Sequence, residues 1–230
     1  MLHVIAIDGP VAVGKSTVAR RVASSLGVRH LDTGAMYRAL ALQAMRLRSS
    51  LDFSPDELGD LATAMQLDLT TDGRVLLGGE DVSLAVRDES VSRAVARVAD
   101  CLPVRRALVE QQRRLGSAEP SVLEGRDIGT VVFPDACLKI YLDASPVVRV
   151  RRRVEQLERL GLPVDAERVF ADLAERDARD RGREWGALRV APDAVIVDTS
   201  DYEERRVVEM ICALARNEAS FAAVGAALSP

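Results

Sequence analysis

Val4-Ile5-Ala6-Ile7-Asp8-Gly9-Pro10-Val11-Ala12-Val13-Gly14-Lys15-Ser16-Thr17 is the stretch on which the rest of the chain depends. Its first four residues are apolar without interruption, the pattern of a strand buried on both faces. Gly9 and Gly14 then bracket a loop in the spacing G-x-x-x-x-G-K-S. In such a loop backbone N–H groups close around phosphate oxygens, Lys15 reaches the outer phosphates and the Ser16 hydroxyl can ligate Mg²⁺. The spacing also occurs by chance in glycine-rich turns. Here Val18, Val22 and Leu26 follow at four-residue intervals and Gly27 supplies a stop. Strand, loop and helix thus succeed one another in the order a phosphate-binding P-loop requires.

Outward from this loop, composition limits the alternatives. With 230 residues, 48% hydrophobic and 29% charged, residues 1–230 suffice for a single domain with a full core and modest insertions. No apolar run approaches the length of a membrane span or of a signal sequence, so a cytoplasmic protein without a membrane partner is expected. Cys101, Cys137 and Cys212 are far apart and lack metal-ligand spacing, which points to reduced packing thiols. A net charge of -4 argues against a nucleic-acid partner, because no basic excess exists to neutralise a polyphosphate. Of the 31 basic residues only Lys15 and Lys139 are lysine. An arginine-rich stretch therefore proves little alone, whereas a lysine kept inside the loop, where a compact charge suits a phosphate oxygen, carries weight.

Val28 to Leu31 reads as a second strand, and Asp32 or Thr33 can cap the helix that follows, with Met36, Leu40, Ala44 and Leu47 on its apolar face. Arg38 near that helix start is either part of a second anion site or a surface arginine beside an ordinary cap. Residues from about Ser49 to Ala99 break the strand-helix alternation. Leu67–Thr70 and Val75–Leu77 flank the turn Thr71-Asp72-Gly73-Arg74, and Glu80–Ser83 can add an edge strand, which together suggest a small antiparallel insertion. Val91 to Arg114 is helical with a break at Leu102-Pro103. Ser121–Glu124, Leu138–Asp143 and Ala194–Val197 are the remaining core strands, and Tyr202 to Asn217 is a closing helix. His3 and His30 fall in predicted strands and read as structural, while Ala219–Pro230 carries no legible signal.

Charged residues then cluster where chemistry is expected. Arg126 and Asp127 follow the carboxyl end of a core strand, where open α/β sheets bind ligands. Arg149, Arg151, Arg152 and Arg153 lie together without an intervening acid. A second helix begins near Asp165, and its apolar stripe (Val169, Phe170, Leu173, Ala174, Ala178) gives way to Arg176, Asp180 and Arg183 at i, i+4 and i+7. That face is either a solvated salt-bridge ladder or an arginine wall at the mouth of a phosphate site. The absence of a guanine-reading Asn-Lys-x-Asp pattern disfavours a switch GTPase, and the size excludes a large motor ATPase. A small-molecule kinase remains, with Arg38, Arg126 and Arg183 drawn from separate elements around an anionic acceptor. No general base is evident. If the acceptor is a phosphate monoester its oxygen is already ionised, and catalysis reduces to in-line positioning and neutralisation by Lys15, Mg²⁺ and arginines.

Five segments in order, Gly9 to Thr17, Leu31-Asp32-Thr33-Gly34-Ala35-Met36-Tyr37-Arg38, Gly78-Gly79-Glu80-Asp81-Val82-Ser83, Glu124 to Asp135 and Arg176 to Arg183, resemble the bacterial cytidylate kinases over about Val4 to Thr199. The resemblance implies an α/β fold: a P-loop NTPase core with five parallel strands, a monophosphate-binding insertion over about 39–99 with a small antiparallel sheet, and a short helical lid over about 145–165. It also implies Mg²⁺-dependent phosphoryl transfer from ATP to CMP and dCMP. Carried over by position, Gly9, Pro10, Val11, Ala12, Val13, Gly14, Lys15, Ser16 and Thr17 hold the ATP phosphates, and Arg149, Arg152 and Arg153 close over ATP. Thr33, Arg38, Arg126 and Arg183 hold the acceptor phosphate, Arg176 and Asp180 the sugar, Arg105 and Asp127 the cytosine; Lys15, Arg126 and Arg183 are the catalytic group.

Two positions depart from the family. Ala96 stands where serine is frequent, which removes one base contact, and Gly186-Ala187-Leu188 replaces Ser-Pro-Leu, which puts the local backbone in doubt. Glu124 has either a water-mediated role toward Mg²⁺ or a loop hydrogen bond. A monomer is expected. The competing readings are a kinase for UMP or another small acceptor, and a nucleotide-gated regulatory module without turnover.

Overall fold

In the computed structural model, which describes residues 3–218, the apolar run is strand β1 (Val4–Asp8) and every residue of it is buried. The glycine-bounded loop leads into helix α1 (Lys15–Leu26), which ends on Gly27 in the left-handed conformation at φ 66°. Strand β2 (Arg29–Asp32) and helix α2 (Thr33–Leu47) follow, with the Asp32 carboxylate accepting the Ala35 N–H at 3.0 Å as an N-cap.

Helix α3 (Pro55–Ala64), the strands β3 (Leu67–Leu69), β4 (Val75–Leu77) and β5 (Glu80–Asp81), a 3₁₀ turn and helix α4 (Glu89–Ala99) make up the insertion. Helix α5 (Leu102–Gly116) leads back to the core strands β6 (Ser121–Gly125) and β7 (Leu138–Asp143). Two antiparallel helices, α6 (Pro146–Arg159) and α7 (Ala166–Gly182), precede β8 (Val195–Asp198) and α8 (Glu204–Asn217). Residues 219–230, where the sequence offered no signal, lie outside the described residues.

The core sheet is parallel in the order β2-β6-β1-β7-β8, and β3-β4-β5 form a separate three-stranded antiparallel sheet. Along β1 the side chains alternate between two cores. Ile5 and Ile7 pack with Val18 and Val22 of α1 and with Val207 and Ile211 of α8. Val4 and Ala6 face the other way, into a cluster with Met36 and Leu40 of α2, Leu108 of α5 and the buried side chains of the insertion. Period-two alternation in a strand covered on both sides produces this double core from an uninterrupted apolar run. The insertion therefore shares its core with the parent domain and seats α4 against α2 and α3 against α5.

Helix α3 is an element the sequence reading did not anticipate. Its start carries a capping box, with Ser54 accepting from the Glu57 N–H at 3.2 Å and Glu57 accepting from the Ser54 N–H at 2.7 Å, and Pro55 occupies the first turn. Cys101, Cys137 and Cys212 form no disulfide. No helix among the described residues is long and apolar enough to cross a membrane.

Candidate active site

The carboxyl ends of β1, β2 and β6 converge on the loop of residues 9–14. Gly9 has to be glycine because a Cβ there would run into the backbone carbonyl of Leu142 on the neighbouring strand β7. Lys15 is buried, and its Nζ donates to the Pro10 carbonyl at 2.6 Å, folding the side chain back over the loop. Burial, reinforced by the charge of Arg126, pushes the Lys15 ammonium well below its usual pKa, while Glu124, Asp8 and Asp180 pull the other way. An anion placed in the loop supplies the missing counter-charge. At the start of α1 the Ser16 hydroxyl donates to Glu124 Oε2 at 2.7 Å, and the second carboxylate oxygen, Oε1, lies 3.0 Å from His30 Nε2. Thr33, buried, donates to the main-chain carbonyl of Glu124 at 2.6 Å.

A second charged cluster stands beside this loop. Arg126 Nε donates to Asp180 Oδ2 at 2.7 Å, and Arg183 Nη2 sits 2.7 Å from Asp180 Oδ1, so one carboxylate holds both guanidinium groups side by side. Burial alone would raise Asp180, but Arg126 and Arg183 outweigh it and keep the carboxyl below the usual range. Arg183 also donates to Asp100 at 2.9 Å, tying the end of α7 to the end of α4. Asp180 and Arg183 are thus a buried positioning network and not the solvated ladder that charge spacing alone allowed. Arg176 is half-buried on the same helix, and Arg38 is partly exposed, 4.0 Å from Asp32.

A third pair lies deeper. Arg105 Nη2 donates to Asp127 Oδ2 at 2.6 Å and to the Gly186 carbonyl at 3.0 Å, and its Nη1 donates to the Ala99 carbonyl at 3.1 Å. The rings of Tyr37 and Trp185 flank the guanidinium at 5.7 and 5.9 Å. Burial raises the Asp127 carboxyl against the pull of Arg105, and burial pushes the Tyr37 hydroxyl up to about 12. The departure at Gly186 finds its reason here. Its φ is 70°, and a Cβ would collide with Arg105 Nη2 and Asp127 Oδ2, so this backbone demands glycine. Ala96 lies on α4, one turn before the Ala99 carbonyl that holds Arg105.

Two arginines of α6 are engaged with the loop itself. Arg149 is buried, pairs with Asp177 Oδ2 at 2.6 Å and donates to the Val11 carbonyl at 3.1 Å, while Asp177 Oδ1 accepts the Val11 N–H at 3.4 Å. Arg152 donates to the Val13 carbonyl at 3.3 Å and to Thr199 Oγ1 at 2.9 Å. Arg153 donates to Gln156 at 2.9 Å; burial, with Arg176 next, lowers its pKa.

Three of these side chains escaped the sequence reading. Asp177 could not be separated from its charged neighbours without knowing which side of α7 faces inward. His30 meets Glu124 with its ring, a contact its strand position did not announce; His3 lies just ahead of β1, its carbonyl accepting from Ser121. Asp8 did leave a signal, as the one acid ending an otherwise apolar strand. Its two oxygens accept the Ile128 and Gly129 N–H groups at 2.9 and 2.8 Å, which fixes the π-turn (Ile128–Val132) that follows Asp127.

Burial dominates at Asp8 and raises its pKa from 3.8 to about 6. A carboxyl raised on folding adds stability that is fully present below 3.8 and is lost as pH rises through 6, roughly 3 kcal/mol in all. Asp8→Asn should therefore flatten the fall in unfolding free energy between pH 4 and about pH 6.5, measured by urea denaturation. A pH profile parallel to that of the parent would show that Asp8 ionises normally.

Among the described residues no three or more His, Cys, Asp or Glu side chains are arranged to hold a metal ion. What stands beside the loop is one hydroxyl, Ser16 at the start of α1, and one carboxylate, Glu124 on β6, hydrogen-bonded to each other. A hard cation that arrives on phosphate oxygens and keeps several waters fits that donor set.

The family model described as cytidylate kinase matches residues 5–217. The chain belongs to the cytidylate kinase family. A cytidylate kinase from Pelotomaculum thermopropionicum is 48% identical over 213 residues, covering 91% of this chain and 94% of the relative. One from Mycolicibacterium paratuberculosis is 47% identical over 224 residues, covering 95% of this chain and 97% of the relative. The same domain occurs fused in a bifunctional pantoate ligase/cytidylate kinase from Synechococcus, 44% identical over 92% of this chain and 40% of that longer protein.

Proposed function

We propose that the protein phosphorylates CMP and dCMP to CDP and dCDP by direct in-line transfer of the γ-phosphoryl group of ATP. The observation that carries this reading is electrostatic adjacency. Glu124 accepts from Ser16 at the helix end of the loop, and two residues further on Arg126 joins Arg183 on Asp180, so a phosphate loop and a twin-arginine cluster stand next to each other across the strand ends. Membership of the cytidylate kinase family supports the same reaction.

In this reading the loop from Gly9 to Thr17 binds the ATP phosphates, and Lys15 neutralises the transferring group. Thr33, Arg38, Arg126 and Arg183 bind the acceptor phosphate, while Arg176 and Asp180 flank the sugar. Asp127 accepts from the exocyclic amine of cytosine, and Arg105 donates toward its carbonyl and ring nitrogen. Arg149 and Arg152 act through the loop backbone they grip, and Arg153 remains available to ATP. Mg²⁺, held by Ser16 with Glu124 reaching it through water, neutralises and orients the donor phosphates. The enzyme works as a cytoplasmic monomer.

Uracil presents a carbonyl where cytosine presents an amine, and a carboxylate opposes it. Purified protein assayed with MgATP and a panel of monophosphates should turn over CMP and dCMP well ahead of UMP. Equal turnover of UMP and CMP would sink the cytosine assignment. ATP binding without ADP production for any acceptor would favour a regulatory module instead.

A further inference from the structure

We infer that His30 is a positioning residue for Glu124, holding this carboxylate toward Ser16 and the metal site and away from Lys15. The inference rests on the reading of Ser16 and Glu124 as the groups that face Mg²⁺ on the ATP phosphates. In the parallel pair β2 and β6, His30 lies opposite Val122 and Asp32 opposite Glu124. His30 and Glu124 are therefore diagonal neighbours on one face of the sheet. The imidazole side chain is 10% exposed and the carboxylate 3%.

Each carboxylate oxygen has one partner, Oε1 with His30 Nε2 at 3.0 Å and Oε2 with the Ser16 hydroxyl at 2.7 Å. Toward a carboxylate, which only accepts, His30 serves by donating through Nε2–H. A glutamate has three rotatable bonds and is otherwise free to swing. The competing destination is Lys15, on whose ammonium the Glu124 charge already acts. Collapse of Glu124 onto Lys15 would withdraw a carboxylate from the metal and a cation from the phosphates at once. His30 prevents this by holding the oxygen farther from Ser16, which leaves Oε2 and its remaining lone pair directed at the hydroxyl side. Residues that orient groups around a metal commonly contribute to its affinity without touching it.

The experiment measures the affinity of ADP by calorimetry with and without Mg²⁺, and separately the Mg²⁺ concentration giving half-maximal rate. In the intact protein the ratio of the two affinities reports how much the metal adds. His30→Leu should lower that ratio by roughly 10-fold, the lower end of what loss of an orienting partner costs, and raise half-saturating Mg²⁺ in proportion, with KM for CMP unchanged. His30→Gln, which keeps an N–H donor, should recover most of the effect. Glu124→Gln should lower the ratio as well, and the double variant should be no worse than Glu124→Gln alone.

If Glu124→Gln changes nothing, the assignment of Glu124 to the metal fails. If Glu124→Gln lowers the ratio while His30→Leu does not, or if the two effects multiply, His30 has no positioning role. His30→Met, similar in bulk and without a donor, replaces His30→Leu in every comparison if the leucine variant does not fold.

Discussion

Lys15→Ala should lower kcat/KM for CMP by on the order of 10³-fold, the largest single effect expected in this protein. Removing one preorganised donor aimed at developing charge costs about 3 to 4 kcal/mol in the transition state, and here the donor is a full cation in a buried site. The Nζ atom rests on the Pro10 carbonyl at 2.6 Å, within the phosphate loop itself. The loss should fall mainly on kcat, because charge on the transferring group grows as reaction proceeds. Lys15→Arg should not restore activity, since a planar fork cannot replace a compact ammonium in the space beside Pro10. Thermal melting separates this from misfolding. Burial and Arg126 already destabilise the Lys15 charge, so the alanine variant without nucleotide should melt close to the parent. A loss of less than tenfold in kcat/KM with an intact melt would remove Lys15 from the catalytic group.

The parts of this site that the sequence made legible are those whose signal is local. The strand, loop and helix from Val4 to Leu26 are contiguous, and Asp32 announces its helix by capping it three residues on. Arg126 and Asp127 were identifiable because they follow directly on the end of a buried strand. What stayed hidden depends on partners far along the chain. Asp8 is explained only by the N–H groups of Ile128 and Gly129, and His30 only by Glu124, across strands that are not sequence neighbours.

Arg149 and Arg152 illustrate the same limit from the other side. Family position assigns them to ATP, but the atoms they meet are carbonyls of Val11 and Val13, and no spacing rule ties residue 149 to residue 11. Helix α3 is a different case. Its capping box was present in Ser54-Pro55-Asp56-Glu57 and was masked by the stronger hairpin pattern that follows.

Arg126 and Asp127 are sequence neighbours that should fail in different ways when changed. Arg126 is locked to Asp180, beside Arg183, whereas Asp127 is locked to Arg105 in the buried pair under Gly186. Arg126→Ala removes a charge-assisted contact worth roughly 1.5 to 3 kcal/mol, and it also leaves Asp180 to Arg183 alone. It should cut kcat/KM for every monophosphate by a similar factor, roughly 10- to 150-fold, leaving the preference for CMP over UMP unchanged. Asp127→Asn keeps a carbonyl for the cytosine amine and adds a donor that suits the uracil carbonyl. It also replaces a charged partner of Arg105 by a neutral one. The ratio of kcat/KM for CMP to that for UMP should therefore narrow, with UMP gaining in relative terms. Both variants are read in one assay of the two substrates. If Arg126→Ala shifts the base preference while Asp127→Asn lowers both rates equally, the two side chains have exchanged roles: the twin-arginine cluster then reads the base, and the buried pair under Gly186 holds the phosphate.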